Sequence, residues 1–567
     1  MIITEFLNLQ LISVALALLV LARFLLTFTH LSGIEKIPGP DYPSWLTGNF
    51  KQVFNPSAWE FHEFLAKKYG SIVRLQGPYG TKALYIFDAK AMHTVLVKVR
   101  RFVNIISEIG LGNVPHVNQD QDVFEENEGF IQSNLLIFGD GLLAPTFFDV
   151  THKLERALKD RLQKGPSTQE VDILSWMGRT ALEIIGQAGL GYSFDPLTDE
   201  ESSHPYSKMI KKLLPTLMRV QFWRLNVLPY VSWIGTAKFR RFVVNLLPWK
   251  DLHHLRDMVD YMHNIAEEIY EDKRRAFETG DEAVEQQIGR GKDLISILMR
   301  ENMKASTEDR LQDIEVIGQY TNFCCDGHYF NYLQSAMSRL LHILSKRPDV
   351  QDRLRRELLE IKSQKNGQDL SYDELNSLPY LDAICRETLR LARQDAAIHL
   401  HKPILDLNGT EIYEVAVPRG TTIFVSIFNA NRNPDLWGKG EWRPERWLEP
   451  LPESLINARI PGVYSHLMTF IGGGRSCIGF KFSQLEMKVV VSILVETFRF
   501  SPSDKEAEIF WQMNGATAPV VGQDSHPRLP INITSVDFRP QSIPGSIEEE
   551  QEGILRKFFM PWFRVNA

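Results

Sequence analysis

The spacing of apolar residues predicts that most of the chain is helical. Apolar positions recur at intervals of three and four residues in several separate segments. The segments with this spacing are Trp59–Lys68, Asp172–Gly186, Leu252–Phe277, Asp352–Ile361 and Leu381–Leu391. A further segment, Phe482–Phe498, is apolar on nearly all sides, which predicts a helix buried in the core. Helical patterns therefore dominate from Asp149 to about Arg499.

Two short runs before this region have the composition of β-strands. They are Ser71–Gln76 and Lys82–Phe87, and the Gly and Pro residues of 77–80 mark a turn between them. The fold class predicted from these patterns is mainly α with a small β lobe. Length alone would suggest about three or four domains.

The N-terminal segment Phe6–Phe28 is long and apolar enough to cross a bilayer as a helix. The alternative is a cleaved signal peptide, against which stand Glu5 near the start and the lack of a small-residue cleavage site. Arg23 and Lys36 on the C-terminal flank favour a cytosolic main domain. We therefore predict a membrane anchor over residues 1–30 and a proline-rich hinge over 31–43.

Net charge indicates which class of partner to expect, and the cysteine content indicates the redox state of the compartment. The 567 residues carry a formal net charge of −7, which argues against a nucleic-acid partner. The four cysteines, Cys324, Cys325, Cys385 and Cys477, show neither zinc spacing nor a disulfide framework. A reducing compartment is expected. Residues 537–567 form a C-terminal extension with an acidic run, which suggests disorder or a weak membrane contact.

One cysteine lies in a glycine-rich loop directly before a predicted helix. The sequence from Phe470 to Gly479 reads F-I-G-G-G-R-S-C-I-G. Glycines such as Gly473 let the backbone approach a flat cofactor closely. The positive end of the helix favours the thiolate form of Cys477, and Arg475 is suited to pair with a carboxylate. The alternative is a plain glycine-rich turn with a buried cysteine.

A second pattern lies upstream of this loop. Glu387 and Arg390 are three residues apart on a predicted helix, so that they share one face. Arg446 follows within the tetrapeptide Pro-Glu-Arg-Trp that starts at Pro444.

The order of E-x-x-R, P-E-R-W and the cysteine loop resembles that of the haem-thiolate monooxygenases, the cytochrome P-450 superfamily. The resemblance implies one large catalytic domain over residues 44–536, in place of the several domains that length alone suggests. It also implies haem b as cofactor, Cys477 as axial iron ligand and Arg475 as partner of a haem propionate. Phe470, Gly473 and Gly479 would complete the cofactor-binding loop. Glu387, Arg390 and Arg446 would form a buried charge network behind it.

The resemblance also implies an activity and its partners. A membrane-anchored member of this family inserts one oxygen atom of O2 into a lipophilic small molecule. Because no flavin or dinucleotide motif occurs in the chain, the electrons would come from NADPH through a flavoprotein reductase. The expected location is the endoplasmic reticulum membrane, with the catalytic domain in the cytosol.

Three places depart from the family pattern. Where an acid and a threonine are expected on the central helix, Tyr329 and Phe330 stand instead. Asp326, His328 or Asn331 are the candidate substitutes as a proton relay, and the alternative for His328 is an ordinary core or surface histidine. No helix with an aromatic or His and an Arg for a haem propionate is found near Ala144–Phe148. After Leu391 the proline-rich strand entry and its cation are missing, and His401 or Lys402 are the candidate replacements.

These departures leave three functional hypotheses open. The first is a monooxygenase, and the second is a haem-thiolate isomerase or lyase that does not activate O2. The third is an inactive, haem-poor relative, in a chain that has lost and gained short segments. No catalytic residue beyond the iron ligand is assigned.

Two surface assignments also have alternatives. The aromatic segment Leu213–Ile234, which Lys238, Arg240 and Arg241 follow, suits either a membrane interface or an ordinary pair of core helices. Lys481 and Lys488, with the arginines at 353, 355 and 356, form either a docking surface for a redox partner or ordinary solvated charges.

Overall fold

The computed structural model describes most of the chain between residues 34 and 536. The described residues are 34–98, 143–198, 204–220, 223, 228–231, 234–306, 310–313, 315–318, 327–391, 404–405, 411–412, 415, 417, 421–438, 440–473, 476–477, 479–514, 516–524 and 526–536.

Helices make up most of this part of the chain. In chain order they are α1 Phe50–Val53, α2 Trp59–Tyr69, α3 Ala89–His93, α4 Ala144–Gln163, α5 Ile173–Ile184, α6 Pro205–Arg219, α7 Leu228–Val231, α8 Ala237–Leu246, α9 Lys250–Thr279, α10 Asp281–Glu285, α11 Leu294–Lys304, α12 Gly327–Lys346, α13 Pro348–Gln364, α14 Tyr372–Ser377, α15 Pro379–Arg390, α16 Ile427–Ala430, α17 Pro434–Trp437, α18 Glu453–Ala458 and α19 Phe480–Thr497. Each helix expected from apolar spacing is present, with bounds that differ by a few residues. The prediction of a mainly helical fold is confirmed.

The strands form small sheets at the edges of the helical body. They are β1 Ile72–Gln76, β2 Lys82–Ile86, β3 Thr168–Asp172, β4 Ile404–Leu405, β5 Glu411–Ile412, β6 Thr422–Val425, β7 Phe498–Pro502, β8 Ile509–Asn514, β9 Ala516–Val521 and β10 Pro530–Ser535. The first sheet has the order β1-β2-β6, with β1 antiparallel and β6 parallel to β2. The predicted hairpin is therefore confirmed, with a 3₁₀ turn at Pro78–Gly80 between its strands.

Further strands lie outside the predicted β lobe. An antiparallel sheet has the order β3-β10-β7, and β8 pairs with β9 as a hairpin. Strand β3 reads Thr-Gln-Glu-Val-Asp, a polar run in which only Val171 is buried. Since such a run has no apolar alternation, its pairing depends on β10, more than three hundred residues later.

The core is built around α19, which is buried along most of its length as its composition predicted. Helix α4 packs along it, where the rings of Phe147 and Phe482 lie 4.7 Å apart. No helix with an aromatic or His and an Arg for a haem propionate was expected near Ala144–Phe148. A helix does begin at Ala144, and its first turn directs Phe147 and Phe148 into the core. Apolar packing fixes this end of α4.

Several sequence predictions concern residues outside the described ranges. They include the membrane anchor over 1–30, the C-terminal extension from 537, Asp326 and the segment 392–403. Among residues 34–536 as described, no helix has the length and apolar character needed to cross a bilayer.

Candidate functional site

Helix α15 carries a buried ion pair between Glu387 and Arg390. Both side chains are completely buried. The Nε and Nη2 atoms of Arg390 each donate to one Glu387 carboxylate oxygen at 2.9 Å, which gives the bidentate geometry of a strong charge-assisted pair. Arg390 also donates to the backbone oxygens of Asn431 and Glu441, at 2.9 and 3.1 Å. The guanidinium thus joins α15 to two later segments.

The Glu387 carboxylate accepts further donors from the segment after α17. The backbone N–H of Arg443 donates at 2.9 Å and the indole N–H of Trp447 at 3.0 Å. Arg446 lies further away, with Nε 3.4 Å from a Glu387 oxygen, and its Nη1 donates to the carbonyl of Trp437 at 2.7 Å. The structure therefore brings together the three charged residues predicted from sequence. It adds Trp447 and the Arg443 amide to them.

The hydrogen-bond donors stabilise the charged form of Glu387 by more than burial destabilises it. Burial acts to raise the pKa of the Glu387 carboxyl, but the hydrogen bonds and charge of Arg390 hold that pKa below its usual range. Glu387 is therefore ionised at neutral pH.

Asn431 connects this network to the cysteine loop. Its amide nitrogen donates to the Thr469 hydroxyl at 2.9 Å, and its side-chain oxygen accepts the backbone N–H of Met468 at 2.8 Å. Thr469 in turn donates to the carbonyl of Leu389 at 2.7 Å. Sequence reasoning missed both residues, because a single Asn or Thr gives no signal of such contacts.

The described residues of the cysteine loop lead directly into α19. A 3₁₀ turn at Met468–Phe470 precedes the loop, and the backbone N–H of Cys477 donates to the carbonyl of Phe470 at 2.9 Å. Gly479 is the N-cap of α19. A Cβ atom on Gly479 would lie 3.9 Å from the Cys477 sulfur, so the thiol sits beside the first turn of the helix. The positive end of a helix stabilises a thiolate at such a position.

Gly473 has no room for a side chain. Its φ is +75°, and a Cβ atom there would lie 2.1 Å from the carbonyl oxygen of Leu96. The loop therefore contacts the segment after α3 through backbone atoms. Arg475 lies outside the described residues.

The two cysteines within the described residues differ in access. Cys385 on α15 is buried, and burial raises the pKa of its thiol to about 12. Cys477 is partly exposed at the mouth of α19. A partly exposed thiol beside the first turn of a helix, between Gly473 and Gly479, is chemically suited to hold haem iron.

The basic residues predicted to form a docking surface differ in their exposure to solvent. Lys488 is 2% exposed and forms an ion pair with Asp382 at 2.8 Å. Arg355 is also buried, and it donates to the carbonyls of Val495 and Phe498 at 2.9 Å. Both residues therefore hold helices together, and the prediction that they belong to a solvent-facing surface is wrong. Arg353 and Arg356 are exposed.

Two of the three departures from the family pattern concern side chains that the structure leaves undescribed. The side chains of His328, Tyr329, Phe330 and Asn331 belong to this group, as do residues 392–403 with His401 and Lys402. For these positions the sequence expectations stand as predictions.

Comparison with known proteins gives consistent matches over most of the chain. The family model for cytochrome P450 matches residues 38–520. Cytochrome P450 monooxygenase 91 of Postia placenta is 41% identical over 91% of this chain and 97% of its own length. Cytochrome P450 monooxygenase 212 of the same fungus is 37% identical, over 90% and 96%. Ganoderic acid synthetase CYP5150L8 of Ganoderma lucidum is 35% identical, over 87% and 92%.

Proposed function

Because the chain belongs to the cytochrome P450 family, whose members are haem-dependent monooxygenases, we propose the following reaction. One oxygen atom of O2 is inserted into a lipophilic small molecule, and the other leaves as water. Electrons come from NADPH through a flavoprotein reductase. When bound, haem b supplies the activation of oxygen, which a thiolate ligand favours.

The observation that carries this proposal is the placement of Cys477. Its amide is hydrogen-bonded to the Phe470 carbonyl, and its sulfur lies beside the first turn of α19. Cys477 would hold the iron, with Gly479 beside its sulfur and Phe470 packing near the loop, whereas Gly473 fixes the loop against Leu96. Glu387, Arg390 and Arg446 would hold the loop from behind through Asn431 and Thr469.

The test is the absorption spectrum of the reduced, carbon-monoxide-treated protein. We expect a strongly red-shifted Soret band, the mark of a thiolate ligand. Cys477→Ser removes the ligand and should abolish this band, while Cys385→Ser serves as the matched control and should keep it. A Cys477→Ser protein with an unchanged spectrum would disprove the assignment.

The sequence of the central helix supports a second candidate, a haem-thiolate isomerase or lyase. Tyr329 and Phe330 occupy the positions at which an acid and a threonine are expected. Turnover without NADPH and reductase would select this candidate. Purified protein without any Soret band would instead select the inactive, haem-poor relative.

We also propose that the protein is held at the endoplasmic reticulum membrane by residues 1–30, with the catalytic domain in the cytosol. The apolar length of Phe6–Phe28 supports this anchor. A second support is α8, which has no buried residue and exposes Phe242 and Leu246 at 58% and 65%. Basic residues stand beside these side chains, as is typical of helices that lie in a membrane interface.

Of the segment before α8, one part fits the core-helix alternative and another part fits the membrane-interface alternative. Leu213 and Leu217 in α6 are buried core residues, whereas Trp223, Val231 and Ile234 are exposed. The core alternative therefore applies to α6, and the proposed membrane surface begins after it.

A further inference from the structure

A second group of charged residues lies near the cysteine loop and meets the Glu387 network at the ring of Trp447. Lys488 on α19 is almost fully buried, and its ammonium group lies 2.8 Å from Oδ1 of Asp382 on α15. It also donates to the side-chain oxygen of Asn376 on α14 at 2.8 Å. One buried cation thus joins three helices, including the helix that starts at the cysteine loop.

Asp382 also makes a second contact, on the surface side of α15. Its Oδ2 atom forms an ion pair with Arg386, one turn later on the same helix. The Arg386 guanidinium lies over the ring of Tyr464, 5.3 Å from the ring centre, and over Trp447 at 5.8 Å. The Tyr464 hydroxyl also donates to Asp382 through a long contact of 3.5 Å. The ring contact is therefore the main link between the charges and Tyr464.

Tyr464 belongs to the hairpin that precedes the cysteine loop. It pairs with Leu467, whose N–H donates to the Tyr464 carbonyl at 2.8 Å. Its ring lies edge-on to Phe470, with centres 6.2 Å apart. The Phe470 carbonyl accepts the N–H of Cys477. A continuous set of contacts thus leads from Lys488 to the backbone of the cysteine.

A buried Lys–Asp pair is not needed for stability alone. Taking two charges out of water is costly, and apolar side chains of similar volume often stabilise a core at least as well. What the pair adds is a fixed orientation of the side chains, because each charged group must lie beside its partner. Here the orientation of Asp382 sets the position of Arg386, and Arg386 in turn sets the position of the hairpin at Tyr464.

We propose that Asp382, Lys488, Arg386 and Tyr464 form a positioning network that holds the Cys477 loop in the geometry for thiolate ligation. The inference rests on the proposed role of Cys477 as iron ligand. Outer contacts of this kind commonly change the affinity of a metal site on the order of 10- to 100-fold when they are removed.

The experiment compares the full-length protein with its variants by two readouts. The first is the fraction of bound haem that gives the red-shifted Soret band after reduction and addition of carbon monoxide. The second is the urea midpoint of unfolding. Asp382→Asn should lower the thiolate fraction on the order of 10-fold. Asp373→Asn, an exposed acid on α14, and Lys481→Met, on the first turn of α19, are the matched controls and should change neither readout.

A double variant separates positioning from simple stability. Asp382→Leu with Lys488→Met removes both charges of this ion pair and leaves neither partner unpaired, so the urea midpoint should return toward that of the wild type. The thiolate fraction should stay low, because Arg386 is no longer fixed over Tyr464. Recovery of both readouts would show that the pair is only structural and would overturn the proposal.

Variants of Tyr464 test the same network without a buried charge. Tyr464→Phe keeps the ring contacts with Arg386 and Phe470 and should keep the thiolate band. Tyr464→Ala removes the ring and should lower the band as Asp382→Asn does. This pair decides the question if Asp382→Asn does not fold. An unchanged band in Tyr464→Ala overturns the proposal.

The outcomes also distinguish this inference from the proposed function. A wild-type protein without the thiolate band overturns both together. A wild-type band that persists in Asp382→Asn and Tyr464→Ala overturns the positioning network alone.

Discussion

At the scale of single residues, Glu387 shows how a buried charge is maintained. Its carboxylate meets Arg390 on one side and accepts the Arg443 amide and the Trp447 indole on the other. Since each of these donors is matched to a carboxylate oxygen, losing the charge leaves several donors poorly paired. Replacing even one carboxylate oxygen of Glu387 by an amide nitrogen should therefore destabilise the folded protein.

Glu387→Gln should lower the free energy of unfolding by about 3 to 5 kcal/mol, because Arg390 would remain as an uncompensated buried charge. Chemical denaturation measured by far-UV circular dichroism checks this value. Glu360→Gln, an exposed residue on α13, is the control and should change stability by less than about 0.5 kcal/mol. Equal stability of the two variants would contradict the structure.

His342 on α12 is a buried histidine that the structure keeps neutral. The indole N–H of Trp511 donates to its Nδ1 at 3.1 Å, and Nε2 donates to Glu506 at 3.0 Å. Burial, together with the nearby Lys346 ammonium, lowers the pKa of the imidazole to about 4, and the Glu506 carboxylate opposes this shift. Protonation would also place two donors face to face at Trp511.

Stability should therefore fall as the pH drops from about 6.5 to about 4, because the unfolded chain binds a proton at His342 that the folded chain rejects. The shift corresponds to about 3 kcal/mol over this range. Urea titrations at several pH values give the slope. The slope should decrease in His342→Asn, which keeps an acceptor for Trp511, and stay unchanged in His254→Asn, an exposed control. An unaltered slope in His342→Asn would contradict the assignment.

At the scale of elements, the cysteine loop depends on backbone geometry at Gly473. Its left-handed φ and the carbonyl of Leu96 both exclude a side chain. The contact also explains why the loop, which is far from α3 in sequence, has a fixed position against the segment that follows α3.

Gly473→Ala should destabilise the protein by at least ~2 kcal/mol, since strain in the left-handed region adds to a clash with a backbone oxygen. Gly440→Ala is the control, because no atom lies within 4 Å of the Cβ position there. Thermal unfolding of both variants measures the difference. A Gly473→Ala protein as stable as the control would show that the loop relaxes freely.

Helix α8 gives a prediction for membrane binding. In a chain shortened by residues 1–30, the exposed side chains of α8 should still bind vesicles of zwitterionic and anionic phospholipid. Phe242→Ser with Leu246→Ser should weaken this binding on the order of 10-fold or more, from the apolar area lost. Phe64→Ser, a similarly apolar exposed site on α2, should not change it. Cosedimentation with vesicles measures the binding, and equal binding of all forms would contradict the proposal.

The sequence predicts some elements well and others poorly, for a physical reason. Long amphipathic helices such as α9 and the apolar α19 carry their own periodic signal, so their positions follow from local pattern. Strand β3 is polar and exposed on one side, and it exists because β10 pairs with it. Lys488 and Arg355 look like surface residues in sequence because their partners come from distant segments.

At the scale of the whole molecule, the site is assembled from widely separated parts. The order of the motifs that contain Glu387, Arg446 and Cys477 resembles that of the family, and this resemblance predicted the first charge network. The connections through Asn431 and Thr469 were not predictable, because they depend on how two loops meet in space. Motif residues are thus visible from sequence, whereas the residues that hold them are visible only in the fold.

Haem should act on the stability of the entire domain. A ligand that binds only the folded state adds about 2.7 kcal/mol when its concentration is 100 times the dissociation constant. The melting temperature of the wild type should therefore rise with added haemin. In Cys477→Ser this rise should be much smaller, and in Cys385→Ser it should persist. A melting temperature independent of haemin in the wild type would favour the haem-poor alternative.

The pairing of β3 with β10 has a consequence for synthesis in the cell. Leu529 donates its N–H to Asp172, 357 positions earlier in the chain. At typical translation rates the ribosome needs roughly 20 to 70 s to add that many residues. Through most of this interval β3 has no partner strand, because β10 does not yet exist. The nascent polypeptide therefore carries an unpaired strand edge, which is prone to wrong pairing with other chains until β10 emerges.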